Sequence, residues 1–260
     1  MALVDRVDVI SYGNWTWAPG FELFWMDGNA PDEPLALLGV VIRSGDNVVL
    51  VNCGADPSYL PVMNAHWAKG DPRHQIVVKP EEELEAALAS VGIAPADVTH
   101  VIATPFQAYA LGNILKFPNA RICLSRKGWI DFHAPRWRNH PHDNRPFCIP
   151  DDVLVGLVTD AWPRVDLIDD SEIAPGVSTF WTGVHHRSSL AVRIETANGV
   201  AIASDSFMRV ENITRMRPIG ICESMEEALV AYHRIAEEAD ILIPLYDPHV
   251  FTRHANGRIS

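Results

Sequence analysis

Cationic side chains are in short supply. Lys and Arg number 21 against 33 Asp and Glu, a formal net charge of −12. Nucleic-acid binding rests on clustered Lys and Arg that neutralise phosphates, so no nucleic-acid partner is expected. Cysteine is scarce as well: Cys53, Cys123, Cys148 and Cys222 are widely spaced, with no C-x-x-C pair. A chain of 260 residues does not need staples to hold a core, so these read as reduced thiols. No window approaches the roughly 18 consecutive apolar residues of a membrane span. The opening MALVDRVDVISYGNW carries Asp5 and Asp8 and no apolar run of signal-peptide length. Repeats, linkers and low-complexity tracts are missing too. These absences lead to the expectation of one soluble, cytoplasmic domain over residues 1–260, with no membrane partner.

What is present describes an ordinary globular core: 48% hydrophobic and 21% charged residues. Residues 35–52, LALLGVVIRSGDNVVLVN, read as two strands joined by a turn at Ser44-Gly45-Asp46-Asn47. Residues 80–92, PEEELEAALASVG, read as a helix, with Pro80 and acids at its start and Gly92 as its stop. VTHVIATP (98–105) and ARICLSR (120–126) read as strands, and 128–150 as a long loop. Strand-like runs return at 153–158, 177–182 and 189–195, the last entering a hairpin through Asn198-Gly199. SMEEALVAYHRIAEE (224–238) is an amphipathic helix with Ser224 as cap and Glu227 completing a capping box. ADILIPLYDP (239–248) is a last strand ending in a turn. Hairpins followed by helices, twice over, point to two sheets with helices outside. The aromatic stretch SYGNWTWAPGFELFWMDG, with Trp15, Trp17, Phe21, Phe24 and Trp25, is either a lid on the core or an apolar pocket wall.

One stretch is conspicuous for what it omits. ATPFQAYALGN (103–113) holds no His, Asp, Glu or Cys. Yet its surroundings, VVLVNCGADP and then VGIAPADVTHVIATPFQAYALGNILKFPNARICLS, resemble the metallo-β-lactamase superfamily, and its N-acyl homoserine lactonase-like branch most closely. TGVHHRSSLAV, VAIASDS and ILIPLYDP extend the resemblance over roughly 35–250 in the family's order. The resemblance implies an α+β fold: a four-layer αβ/βα sandwich of two mixed β-sheets flanked by helices, with the site at one edge of both sheets.

In that family an H-x-H-x-D-H loop supplies four of about seven ligands to two metal ions, which activate a water. On the matching positions this chain carries Pro105, Gln107, Tyr109 and Ala110. His185 and Asp205 fall on the fifth ligand and the bridging carboxylate, while Tyr246 replaces the final His. Pro and Ala have no donor, and Gln and Tyr are poor ones. The dinuclear centre is therefore expected to be lost, with no metal ligand set and no cofactor. The family's D-T-G becomes Asn52-Cys53-Gly54, an amide in place of a supporting carboxylate.

The remaining protic groups suit general acid–base work. His185 would be the base and Asp205 its orienter, with Tyr109, Tyr246 and Gln107 donating hydrogen bonds. His186, Arg187, Trp17, Phe21, Phe106 and His249 would contact substrate. The plainer reading makes His185 and Asp205 a relic pair that fills a cavity, or the holders of one weak ion. Ser188 and Ser189 near these groups invite a serine-hydrolase reading, but no G-x-S-x-G elbow is present. Cys53 is either a nucleophile or a buried structural thiol. His133, His140, His142 and Asp143 are either a lid with metal-like spacing or surface residues. The function expected is a metal-independent, lactonase-like hydrolase or lyase acting on a small, partly apolar carbonyl or ester compound. The alternative is an inactive member of the fold that binds a small ligand or a protein. A small molecule is the expected partner, and a homodimer is an assembly left open.

Overall fold

The computed structural model describes residues 2–135 and 145–260. Strands β1 (Arg6–Ala18), β2 (Glu33–Ser44), β3 (Asn47–Val51), β4 (Ile76–Val77), β5 (His100–Ala103), β6 (Arg121–Ser125) and β7 (Val165–Ile168) form one sheet, ordered β4-β1-β2-β3-β5-β6-β7. Strands β8 (Ser171–Ala174), β9 (Val177–Trp181), β10 (Leu190–Thr196), β11 (Gly199–Ser204) and β12 (Ile241–Pro244) form the second, ordered β12-β11-β10-β9-β8. Both sheets are mixed. The first turns parallel from β3 through β5, β6 and β7, and the second is antiparallel until β11 meets β12 in parallel. The helices are α1 (Gly20–Leu23), α2 (Leu60–Trp67), α3 (Leu84–Ala89), α4 (Ala108–Leu111), α5 (Arg126–His133), α6 (Arg145–Cys148), α7 (Asp151–Val158), α8 (Val210–Thr214), α9 (Met225–Glu238) and α10 (Val250–Arg253).

Period-two alternation builds the layers. Val40, Ile42, Val49 and Val51 of the first sheet pack with Val192, Ile194, Ala201 and Ala203 of the second, closing the space between sheets. Val41 and Leu50 point the other way, onto the cluster that holds Leu84 and Leu88 of α3. On the second sheet Ile202 likewise turns outward, into the cluster that holds Ala228, Tyr232 and Ile235 of α9. Each Val, Leu or Ile taken fully out of water in this way stabilises the fold by about 1.5–3 kcal/mol. The result is the four-layer sandwich expected from the sequence.

Several local expectations need correction. Residues 153–158 are not a strand but lie in α7: Val153 and Leu157 are buried four positions apart, while Val155 and Val158 stay exposed. The Val-rich composition suggested a strand, but burial at helical spacing behind Pro150 and the acids Asp151 and Asp152 favours a helix. Most of the described part of the 128–150 region is also helical, in α5 and α6. Ser125 starts α5 by accepting from the Gly128 N–H at 3.1 Å. His140, His142 and Asp143 lie outside the described residues. The helix expected over 80–92 is shorter, a 3₁₀ turn over Pro80–Glu82 followed by α3. Ser224 caps α9, but the Glu227 carboxylate pairs with Arg187 rather than closing a capping box. The aromatic N-terminal stretch runs partly in β1, a 13-residue strand that pairs with β2 along much of its length.

The site's position follows from this topology. The chain leaves β3, β5, β11 and β12 at one edge, and the residues after those strands meet there. Thr104, just past β5, ties the two sheets together. Its hydroxyl accepts from the Leu190 N–H at 2.8 Å and donates to Asp205 Oδ1 at 2.5 Å.

Candidate active site

Asn52 follows β3 in the left-handed region, φ 59°, which Asn tolerates better than most residues. Its amide reads both backbone groups of Thr104. Nδ2 donates to the Thr104 carbonyl at 2.8 Å, and Oδ1 accepts from the Thr104 N–H at 2.9 Å. A carboxylate could make only the second bond. The amide at this position therefore clamps the loop after β5 by backbone pairing alone.

Beyond the clamp, Phe106–Leu111 lies buried against the strand ends. A cavity of ≈ 280 Å³ opens beside it. Gln107, Tyr109, His185, His186 and Tyr246 all line it, so the structure brings together these sequence candidates from three separate loops. The hydroxyls of Tyr109 and Tyr246 lie 3.3 Å apart. Burial raises both phenols above their ordinary range, so they are donors at neutral pH, not phenolates. Gln107 Nε2 stands 2.9 Å from His186 Nε2. With the amide as donor, His186 accepts at Nε2 and carries its proton on Nδ1.

His185 is almost fully buried, with Nδ1 3.3 Å from Asp205 Oδ2. The approach is too oblique to count as a hydrogen bond, and Nδ1 has no other partner among the described residues. Asp205 is instead satisfied by hydroxyls, from Thr104 on one oxygen and from Ser189 at 2.5 Å on the other. Ser189 thus donates to a carboxylate rather than to an imidazole, and Ser188 accepts from the Phe106 N–H at 2.8 Å. Neither serine belongs to a Ser-His-Asp relay. Cys53 is fully buried and burial pushes its thiol far up, which removes the thiolate a nucleophile needs.

Other candidates sit away from the cavity. Trp17 meets His74 at 59° with centroids 4.8 Å apart, lies under Arg73, and its indole N–H donates to Asp32 at 2.9 Å. Phe21 is 61% exposed. Phe106 is core, Arg187 pairs with Glu227 over the Trp181 ring, and His249 is an exposed residue at the start of α10. Asp247 holds a turn, accepting from the His249 N–H at 3.0 Å and from Arg253 at 2.7 Å. His133 is exposed at the end of α5.

The cavity also gathers residues that the motif comparison passed over. Trp15, Trp67, His66 and His74 form part of its wall, and Glu22 of α1 contributes a carboxylate. Desolvation raises the Glu22 carboxyl, against a weaker opposing pull from His185. A signal for Glu22 existed: it is the one charged residue between Ser11 and Met26, inside the aromatic run. His66, Trp67 and His74 gave none, since they arrive from α2 and the loop after it.

Known structures agree with this architecture. An N-acyl homoserine lactone hydrolase, solved with N-hexanoyl-L-homoserine at its catalytic metal centre, superposes with a TM-score of 0.75 at 19% identity, covering 96% of each chain. The chain has the metallo-β-lactamase fold. A probable metal-dependent hydrolase from Staphylococcus aureus gives a TM-score of 0.69 at 15% identity, over 95% of this chain and 91% of that one. In sequence, metallo-beta-lactamase domain-containing protein 1 of Xenopus laevis is 29% identical over 170 residues, 64% of this chain. The match spans 61% of that relative's length. No family model matches the chain.

The metal centre that this fold implies does not fit the residues present. Pro105 and Ala110 offer no donor, the Gln107 amide is turned to His186, and the two tyrosines are held protonated by burial. Both oxygens of Asp205 are already bonded by hydroxyls, one from Thr104 and one from Ser189. Among the described residues no group of three or more His, Cys, Asp or Glu is placed to hold a metal ion.

Proposed function

We propose that the chain is a lactonase-like hydrolase or lyase that acts without a metal centre on a small, partly apolar carbonyl or ester compound. One observation carries the reading: His185, the Tyr109–Tyr246 hydroxyl pair and Glu22 converge on a single cavity at the edge of the two sheets. Burial raises the two tyrosines and the Glu22 carboxyl, and protic groups perturbed in this way and gathered in a cleft are the usual mark of acid–base chemistry. In this reading the His185 imidazole takes a proton from water or from the substrate. A tyrosine hydroxyl donates to the substrate oxygen on which charge develops. Trp15, Trp67 and Leu35 provide the apolar wall for the rest of the molecule. The partner is a small molecule, neither nucleic acid nor membrane, and no described helix is long and apolar enough to cross a bilayer.

A second reading, a binding protein of the same fold, has its own support. The oxygens of Asp205 are engaged by Thr104 and Ser189, so His185 lacks the well-aligned carboxylate that orients a typical base. A screen of lactones, esters and carbonyl compounds, run with dialysed protein and with chelator, separates the readings. Turnover that resists chelation, in protein carrying well below one metal per chain, is the expected result. Turnover abolished by chelator would overturn the metal-free mechanism. Saturable binding without any turnover would favour the second reading.

A further inference from the structure

Glu22 is the one carboxylate on the cavity wall, and no Lys or Arg lines it among the described residues. Its carboxyl makes no hydrogen bond or ion pair with a described residue, although it is half-buried. His185 attracts it, but burial outweighs that pull, and a titratable group perturbed in this way inside a cleft marks a candidate binding or catalytic group. The backbone around it is fixed. The Glu22 N–H donates to the Pro19 carbonyl at 2.9 Å, and its own carbonyl accepts from the Gly220 N–H at 2.8 Å. Asn212 Nδ2 donates to the next carbonyl, that of Leu23, at 2.8 Å. At Gly220 a Cβ would stand 1.7 Å from the Phe21 carbonyl oxygen, so the two segments touch backbone to backbone.

Aromatic rings at steep mutual angles share the same cavity. Trp15 meets Tyr109 at 79° with centroids 5.5 Å apart, and Tyr109 meets Tyr246 at 70° and 6.2 Å. Trp67 stands at 49° to Trp15 and 55° to Tyr109. These rings pack on one another along the wall that Glu22 also lines, and an exposed ring face attracts a cation through its quadrupole. The imidazoles do not cancel this preference throughout, because burial lowers the His74 ring below its ordinary value and keeps it neutral. An anionic ligand would meet Glu22 with no fixed positive charge to balance it.

We infer that the ligand of this cavity carries a cationic nitrogen, a protonated or quaternary amine, held near Glu22 against the aromatic wall of Trp15, Trp67, Tyr109 and Tyr246. The inference names the substrate class for the proposed function and rests on that reading of the cavity: a small ester, lactone or carbonyl compound bearing an ammonium group. The charge selects and orients the molecule, and the acid–base groups act at its carbonyl.

The test uses the full chain and titration calorimetry. Its probes are choline, tetramethylammonium, the neutral choline isostere in which tert-butyl replaces trimethylammonium, and hexanoate. Choline should bind about tenfold or more tightly than its isostere, the range expected when a desolvated cation meets aromatic faces and a carboxylate. Glu22→Gln should remove most of that preference and leave the isostere unchanged, with thermal melting confirming the fold. Equal binding of choline and isostere in the wild type overturns the inference without any variant, as does tighter binding of hexanoate or failure of both ammonium probes. The result is separable from the acid–base reading. Glu22-dependent choline binding with no turnover of any ester or lactone would leave the cation site standing and remove the enzyme. Turnover of neutral esters with no ammonium binding would do the reverse.

Discussion

Asp205 Oδ2 lies 3.3 Å from His185 Nδ1 and yet gives its hydrogen bond to Ser189, at 2.5 Å. The histidine is close to a carboxylate that has other obligations. If His185 is the base, its loss removes proton transfer while the buried carboxylate keeps both hydroxyl partners. His185→Ala should therefore fold and lose roughly 10²–10⁴ in turnover on a true substrate, the usual yield of general acid–base assistance. Tyr109→Phe and Tyr246→Phe should each cost less, since the ring that fills the wall remains. Kinetics on the three variants checks this, and full activity in His185→Ala would sink the base assignment.

Asp205 itself should matter more for folding than for proton transfer. Ser189→Ala removes one of two hydroxyls bonded to a fully buried carboxylate. Hydrogen bonds to charged groups are worth about 1.5–3 kcal/mol, so urea unfolding should report a loss in that range. A change within error would contradict the hydrogen bond that Ser189 gives to Asp205.

A carboxylate at position 52 should harm the protein. Asn52→Asp keeps an acceptor for the Thr104 N–H but turns the donor facing the Thr104 carbonyl into a second oxygen. An orphaned buried carbonyl costs about 1–3 kcal/mol, before any cost of burying charge. Chemical denaturation should show at least that loss. A neutral or stabilising outcome would contradict the clamp geometry.

The layers of the fold were legible because a period of two and tight turns are local properties. The Ser44–Asn47 turn and the Asn198-Gly199 hairpin appear where the residues demand them, with Gly45 at φ 56° and Gly199 at φ 113°. Residues 153–158 were misread because a Val-rich run fits a strand or a buried helix equally well until burial is known. In the site, motif positions located Gln107, Tyr109, His185 and Tyr246, since equivalent strand ends meet at one edge. They did not locate Trp67 and His74, which reach the cavity from α2 and the loop before β4, whose placement no local pattern dictates. Nor could spacing reveal that Asp205 bonds to Ser189, because that depends on hydroxyl direction rather than sequence distance.

Thiol reactivity should follow burial. Cys53 is fully buried with its thiol pushed far up, and Cys123 is buried and pushed up to about 12. Cys222 is only half-buried, and its thiol is raised less. Only the thiolate alkylates, so iodoacetamide at neutral pH should label Cys222 well before Cys53 or Cys123. Peptide mass spectrometry over a time course checks the order, and early labelling of Cys53 would reopen its reading as a nucleophile.

The Glu22 carboxyl ties stability to pH. Burial raises it in the folded chain, while in the unfolded chain it titrates at the ordinary glutamate value. Below that ordinary value both states are protonated and the residue favours neither. As pH rises from there through the raised folded value, the unfolded chain releases its proton first, so folding becomes progressively less favourable. Gln at this position has the shape of the protonated acid and no titration. The melting temperature of Glu22→Gln should thus gain on the wild type as pH rises through that window, then hold a constant lead above it. Other titrating groups are common to both proteins and cancel in the difference. His185 opposes the shift, since its attraction lowers the Glu22 carboxyl. In a His185→Ala background the window should therefore extend to higher pH and the lead of Gln should grow. Paired melting curves across the acid-to-neutral range read both effects. A lead that shrinks with rising pH would mean that Glu22 is stabilised as a carboxylate in the folded chain, by a partner other than the cation proposed for the cavity.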